Sequence, residues 1–356
     1  MKKKKVLIFV PRLLERGGIE SHLKELCFQF KGAAYELSIL VLDNQSSKET
    51  QTCYKAICSN TWFIQANLSI LRWLMFFKIL PKLWINKFDI FYSNGQGNSI
   101  LLLNQLFNKK LKWIHHHHTT GDYLDKKAWS NSYFQTLKKC DVLIACTEVS
   151  TNSLSGILQR EVVHISCFSR EIILKNQSHS NSPFRLGYFG RLIKEKGIDL
   201  LAQMSTDKDF EDIEFHIWGD GKSYPISYFN SFSNLFYHGS FQGEIELTEV
   251  LNYIDALILI STHPEGLPIS LLETMGSGKP WIASDIGGIV EISIDSKLNY
   301  LLSRDIDYES LKIQVLDFIN QVKDRPGLNQ NQIQFYKQHY SSSYLNSCWE
   351  NIFAKI

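Results

Sequence analysis

Residues 6–10 read Val-Leu-Ile-Phe-Val, a wholly apolar run that enters a loop ending in Gly17 and Gly18. Residues 19–30 follow, with Leu23, Leu26, Cys27 and Phe30 recurring at helical spacing, and a second apolar run occupies 37–42. Strand, glycine-containing loop, helix, strand is how a doubly wound α/β unit begins. The same opening recurs later: an apolar strand at 184–189, a loop at 190–197 and a helix at 198–204. A chain that starts such a unit twice is expected to build two α/β halves. Its 356 residues are long enough for two cores.

Further short strands are expected at 88–92, 111–114, 142–145 and 162–165 in the first half. In the second half they are expected at 215–218, 236–238, 256–260 and 281–284. The polar stretch 175–183 reads as a linker. Residues 340–356 place Tyr344, Cys348, Trp349, Ile352 and Phe353 on one stripe, as in a terminal helix docked on the protein body. The expected division is therefore a first doubly wound domain over 1–176, a second over 184–339 and the terminal helix over 340–356.

Composition removes several classes. Lys plus Arg total 38 and Asp plus Glu total 36, a net charge of +2, which gives no footprint of a nucleic-acid binder. The seven cysteines lack CxxC spacing and show no metal-ligand pattern. They read as reduced thiols of a cytoplasmic protein. Lys2 to Lys5 ahead of an apolar run can imitate a signal peptide, but Pro11, Arg12 and Glu15 interrupt it, so a first strand is the better reading. No run approaches the ~18 apolar residues of a spanning helix.

The most informative loop runs from Ser261 to Pro268, directly after the strand at 256–260. Ligands of open α/β sheets bind at that carboxyl edge. Glu265 lies in the loop, Gly266, Leu267 and Pro268 shape it, and the following helix offers amide donors at its start. Glu273 lies further along that helix, where a carboxylate can accept from paired ribose hydroxyls. Single acids are more often solvated surface groups, but two of them bracketing a Gly/Pro loop after a core strand are candidates for function. Arg191 and Lys196, in the loop after 184–189, can neutralise a diphosphate, the first by paired hydrogen bonds and the second as a point charge. Gly219 to Gly221 is a strand-end turn that either approaches a nucleotide or is a plain turn. Asp285 to Gly288 is a second turn able to approach a phosphate, and Glu291 follows at the start of an expected helix.

Together these stretches resemble retaining glycosyltransferases of family 4, with the GT-B fold: two Rossmann-like doubly wound domains facing across a cleft. Glu265 and Glu273 match the family's Glu-x7-Glu signature. Gly190-Arg191 with Lys196-Gly197 is similar to its phosphate-binding segment, and Gly17-Gly18-Ile19-Glu20 to its glycine-rich first loop. The resemblance implies that Gly17 and Gly18 approach the donor phosphates and that Arg191 and Lys196 hold them. It implies that Glu265 contacts the donor sugar and Glu273 the ribose. No metal or other cofactor is expected, the two cations standing in for one. The anomeric configuration would be kept, by front-face attack assisted by the leaving phosphate. Two departures stand out: 164–169 replaces an Asn-Gly at the end of the first domain, and Asn299-Tyr300-Leu301 replaces an Asn-Gly-Leu turn.

Four histidines, His115 to His118, follow the strand at 111–114. In extended chain His116 and His118 share one side, and His115 and His117 the other. The family has a histidine near the reacting sugar after this strand. His118 is the candidate catalytic residue and His116 the alternative, with Asp122 as a contact for an acceptor hydroxyl. Structural roles for some of the four are equally compatible with the sequence. Residues 68–84 are apolar, aromatic and basic (Arg72, Lys78, Lys82), which fits either a core helix or peripheral contact with the inner face of a membrane. The expected partners are thus a nucleotide-sugar donor and a glycan or lipid-linked glycan acceptor, in bacterial surface polysaccharide synthesis, with no nucleic acid. A nucleotide-sugar epimerase of the same architecture and a non-catalytic nucleotide-sugar-binding protein remain as alternatives. An NAD enzyme does not fit the Gly17-Gly18 spacing.

Overall fold

A computed structural model describes residues 3–32, 34–107, 111–174, 183–241, 243–263, 265–303 and 307–356. Met1, Lys2, Pro264 and residues 175–182 of the expected linker lie outside the described residues. The chain divides into two units, one running up to Phe168 and including Leu345–Ile356, the other Ser169–Tyr344.

The first unit holds a seven-stranded sheet of β1 (Lys4–Leu13), β2 (Tyr35–Asn44), β3 (Asn60–Phe63), β4 (Ile90–Asn94), β5 (Lys112–His117), β6 (Val142–Ala145) and β7 (Val163–His164). All its pairings are parallel, in the order β3-β2-β1-β4-β5-β6-β7. The order reverses between β1 and β4, so the loops after these two strands flank the switch point. β1 continues past the apolar run, because Arg12 and Leu13 still pair with Asp43 and Asn44 of β2. Pro11 is tolerated there: the pairing of β1 with β4 has already ended at Phe9, so its missing N–H leaves no gap in that ladder.

The second unit repeats the plan with six parallel strands: β8 (Phe184–Phe189), β9 (Ile213–Trp218), β10 (Leu235–Tyr237), β11 (Ala256–Leu259), β12 (Trp281–Ser284) and β13 (Asn299–Leu302). Their order is β10-β9-β8-β11-β12-β13, with the reversal between β8 and β11. β3 and β13 were not expected. Asn299-Tyr300-Leu301 lies within β13 rather than in a turn, and the buried Asn299 side chain donates to Gln332 Oε1 (2.5 Å) and to the Leu298 carbonyl (3.0 Å). The second unit begins at Ser169, earlier than the expected boundary at 176. Ser169 hydrogen-bonds Tyr336 (2.8 Å), and Ile172 and Leu174 enter the second core.

The terminal helix Ser342–Lys355 packs Leu345, Trp349, Ile352 and Phe353 into the core of the first unit. Tyr344 falls outside that stripe and is exposed. Trp349 is wholly buried, against Tyr92 and His116, each with ring centroids 5.6 Å away. Trp349→Ala is expected to destabilise the first unit by about 3–5 kcal/mol, read as a lower midpoint in urea unfolding.

Helix Ser69–Asn86 answers a question its sequence leaves open, because it has two apolar faces. Phe76, Leu80 and Leu83 are buried in the first unit. Ile70, Leu71, Leu74, Phe77, Trp84 and Ile85 are exposed, at the i, i+3, i+4 spacing of the opposite face. Among the described residues no helix is long and apolar enough to cross a membrane.

Candidate functional site

In the second unit the switch point brings two loops side by side. Arg191 and Lys196 lie beyond the end of β8, and Glu265 beyond the end of the neighbouring β11. Gly197 makes the approach possible: its φ is 73°, and a Cβ there would fall 2.2 Å from the Ile260 carbonyl oxygen. Thr262 N–H donates across to the Glu195 carbonyl (2.8 Å). Lys196, on a short 3-10 turn and only 9% exposed, places Nζ 2.5 Å from Glu265 Oε1. Ser261 Oγ donates to the same oxygen (2.7 Å), and His263 Nδ1 lies 3.8 Å from it. The Glu265 side chain is 11% exposed, so this carboxylate is oriented rather than solvated. Beneath it, burial first and the Glu265 charge next push the Tyr188 hydroxyl well above its ordinary range, and that hydroxyl donates to the Arg191 carbonyl (2.7 Å). The Arg191 side chain is exposed.

The neighbouring turns are locked to these loops. A Cβ on Gly219 would lie 1.9 Å from the Gly190 carbonyl oxygen, so the β8 and β9 exits pack backbone to backbone. Gly288 N–H donates to the Gly266 carbonyl (2.9 Å), joining the turn after β12 to the Glu265 loop. Glu291 falls within the 3-10 helix Gly287–Ile292. Leu267 is buried, and Pro268 is the N-cap of helix Ile269–Ser277, without a side-chain cap. The first amides of that helix are therefore not used by a capping side chain.

Glu273 lies within this helix and is 1% exposed. Both carboxylate oxygens are held by Arg170, Nε to Oε1 at 2.6 Å and Nη2 to Oε2 at 3.1 Å. Arg170 also donates to the Gly243 carbonyl (3.0 Å) and lies over the Phe241 ring. Arg170 and Ser261 are the residues of this region that sequence reasoning missed. A buried acid at Glu273 calls for a cation, but nothing local identifies one 103 positions earlier.

In the first unit, Gly17 is the N-cap of helix Gly18–Gln29. A Cβ there would come 2.2 Å from Glu20 Oε2, because Glu20 turns back to accept from Leu14 N–H (3.1 Å). The histidines alternate along β5 and just beyond it. His115 Nε2 and His117 Nδ1 meet the Tyr133 hydroxyl at 3.2 and 2.7 Å. His117 Nε2 also lies 3.2 Å from Asp125, whose carboxyl is held well below its usual range by His117 and Thr119 against the opposing effect of burial. His116 and His118 take the other side, with His22 ring centroids 4.9 and 5.3 Å away. Burial pushes His116 well below the ordinary imidazole range and His22 down to about 4. His116 is fully buried and His118 partly so. His118 Nδ1 faces Cys167 Sγ (3.3 Å) and Cys146 Sγ (3.6 Å). Asp122 caps the short helix Tyr123–Lys127 by accepting from the amides of Leu124 and Asp125. Cys146 and Cys167 were missed because their spacing in the chain is uninformative, although both follow a strand end, as His118 does.

Comparison with known proteins agrees with this division. Residues 16–168 match the family model described as Glycosyltransferase Family 4, and residues 169–335 match the one described as Glycosyl transferases group 1. The two matches meet where the structure divides, between Phe168 and Ser169. An uncharacterized glycosyltransferase of Methanocaldococcus jannaschii is 27% identical over 337 residues, covering 90% of each chain. A lipopolysaccharide outer core galactosyltransferase in its apo form superposes with a TM-score of 0.69 at 18% identity, over 99% of this chain and 100% of that one. HepE of Anabaena in complex with UDP-glucose superposes with a TM-score of 0.73 at 16% identity, again over 99% and 100%. Two parallel α/β units of the GT-B fold, each matched along most of its length, place the protein in glycosyltransferase family 4, the glycosyl transferases group 1, as an enzyme that uses a nucleotide-sugar donor.

Proposed function

We propose that the enzyme transfers a hexose from a UDP-sugar, with retention of configuration, to a glycan or lipid-linked glycan acceptor of a bacterial surface polysaccharide. The observation that carries the donor-site reading is the Lys196–Glu265 pair at the switch point of the second sheet. Arg191 and Lys196 take the diphosphate, with the amides at the start of helix Ile269–Ser277. Glu265, held through one oxygen by Lys196 and Ser261, presents its charge to the anomeric centre as the bond to the leaving phosphate lengthens. The phosphate itself accepts the acceptor's proton, so no imidazole is required for that step. Glu273, fixed by Arg170, has lone pairs beyond those the guanidinium uses and accepts from the ribose hydroxyls. The close-packed Gly219 turn lies beside the nucleotide. His116 and His118 are given no proton-transfer role, because their rings are turned into the interior of the first unit. The UDP assignment draws on the Anabaena structure with UDP-glucose. The surface-glycan assignment draws on the lipopolysaccharide galactosyltransferase.

Calorimetric titration with UDP and GDP tests the donor site. Arg191→Ala is expected to weaken UDP binding by about 10- to 100-fold, the loss of charged hydrogen bonds to phosphate. Unchanged affinity would remove Arg191 from the site.

The exposed apolar face of helix Ser69–Asn86, edged by the exposed Lys78 and Lys82, suits an anionic lipid surface at the cytoplasmic face of the membrane. Leu74→Glu with Phe77→Glu is expected to lower co-sedimentation with phosphatidylglycerol vesicles by at least about tenfold, since each side chain loses roughly 1.5–3 kcal/mol of burial. Equal binding by the variant and the native protein would exclude this face.

A further inference from the structure

We infer that His116, His118, Cys146 and Cys167 form a tetrahedral zinc site in the first unit, at the carboxyl ends of β5, β6 and β7. This goes beyond the donor-site reading and shares no residue with it. Parallel register assembles the cluster. His116 pairs with Ile144 and His117 with Ala145, which brings Cys146 level with His118. Ala145 pairs in turn with His164, and Cys167 follows three residues on. The side-chain period of two puts His116 and His118 on the same side of the chain.

The geometry is of metal-site scale. One nitrogen or sulfur from each residue lies within 4.8 Å of all the others. His118 Nδ1 is 3.3 Å from one sulfur and 3.6 Å from the other. Zinc with bonds of about 2.3 Å to sulfur and about 2.0 Å to nitrogen sets tetrahedral nitrogen and sulfur roughly 3.6 Å apart. His116, Cys146 and Cys167 are buried, and His116 Nε2 has no hydrogen-bond partner although its ring is fully enclosed. A buried nitrogen without a partner is costly in a protein interior, and a metal–nitrogen bond removes that cost.

The surroundings orient this ligand. His116 Nδ1 and His22 Nε2 each lie 3.2 Å from the Tyr92 hydroxyl oxygen, and His22 Nδ1 accepts from Phe168 N–H (3.0 Å). With zinc on Nε2, His116 carries its proton on Nδ1 and donates to the Tyr92 oxygen, as metal-bound imidazoles donate their second N–H to a neighbouring acceptor. Two thiolates and two imidazoles select zinc over hard cations such as Mg²⁺. Binding releases one proton from each thiol, and Zn²⁺ with two thiolates is neutral, which suits burial. Four protein ligands leave no open position, so the ion is structural. It ties three strand ends together at Phe168, the last residue of the first unit before the chain enters the second.

Metal analysis of the full-length protein, purified after growth with added zinc and desalted into metal-free buffer, tests this directly. About one zinc per chain is expected, falling at least about fivefold in Cys146→Ser and in Cys167→Ser. Cys53→Ser, outside the cluster, is expected to keep its zinc. Protein grown with cobalt in place of zinc is expected to show a thiolate-to-cobalt charge-transfer band, which reads the native chain whether or not the variants fold. Less than about a tenth of an equivalent of zinc, with no such band, overturns the inference. So does the loss of two titratable thiols by formation of a Cys146–Cys167 disulfide. Neither result bears on UDP binding, so failure here is distinguishable from failure of the donor-site reading.

Discussion

Glu265→Ala lowers kcat/KM for sugar transfer by about 100- to 1,000-fold, the scale seen when one preorganised electrostatic contact to a developing charge is removed. The carboxylate is oriented by Lys196 and Ser261 at a single oxygen, so its charge is already positioned before reaction. UDP binding does not weaken in this variant, because Lys196 loses its competing anion and keeps its charge for phosphate. Lys196→Ala behaves differently. It removes a phosphate contact and leaves Glu265 without its cation, so affinity and turnover fall together. Initial rates and UDP titrations on the two variants separate these patterns. An activity within about threefold of native in Glu265→Ala would take that residue out of the reaction.

Arg170→Ala is expected to destabilise the second unit. It strands the Glu273 carboxylate, 1% exposed, inside the second unit. Removing one partner of a buried pair costs about 3–5 kcal/mol. The Arg170 side chain is itself 26% exposed, which favours the lower end of that range. In a unit of this size that corresponds to a fall of roughly 6–12 °C in Tm. Glu273→Leu added to Arg170→Ala restores most of the loss, since an apolar side chain of similar volume needs no counter-ion. A double variant as unstable as Arg170→Ala alone would show that packing by Arg170, not the charge pair, is what the unit needs. Calorimetric unfolding of the single and double variants gives the answer.

Both doubly wound openings were legible because continuous apolar strands ending in glycine loops carry their pattern locally. β3 and β13 were not, because Asn60-Thr-Trp-Phe and Asn299-Tyr-Leu-Leu mix polar and apolar residues at sheet edges. The loops bearing Arg191, Lys196 and Glu265 could be picked out as strand exits. Their meeting follows from β8 and β11 being neighbours, which is a property of strand order. The same limit hid Arg170 from Glu273 and the two cysteines from the two histidines: parallel sheets join residues distant in the chain. Helix Ser69–Asn86 gave an ambiguous signal because it is apolar on two faces, and only burial separates the face in the core from the exposed one.

The loops after β8 and β11 are proposed to hold a nucleotide-sugar and to break its glycosyl–phosphate bond without a metal. Acceptor-independent hydrolysis across a panel of UDP-, GDP-, ADP- and TDP-sugars, with and without EDTA, tests it most directly. Release of UDP from one or a few UDP-sugars is expected, unaffected by EDTA and lost in both Glu265→Ala and Arg191→Ala. Release that EDTA abolishes while the zinc content of the protein stays unchanged, or that persists in both variants, would be the opposite result.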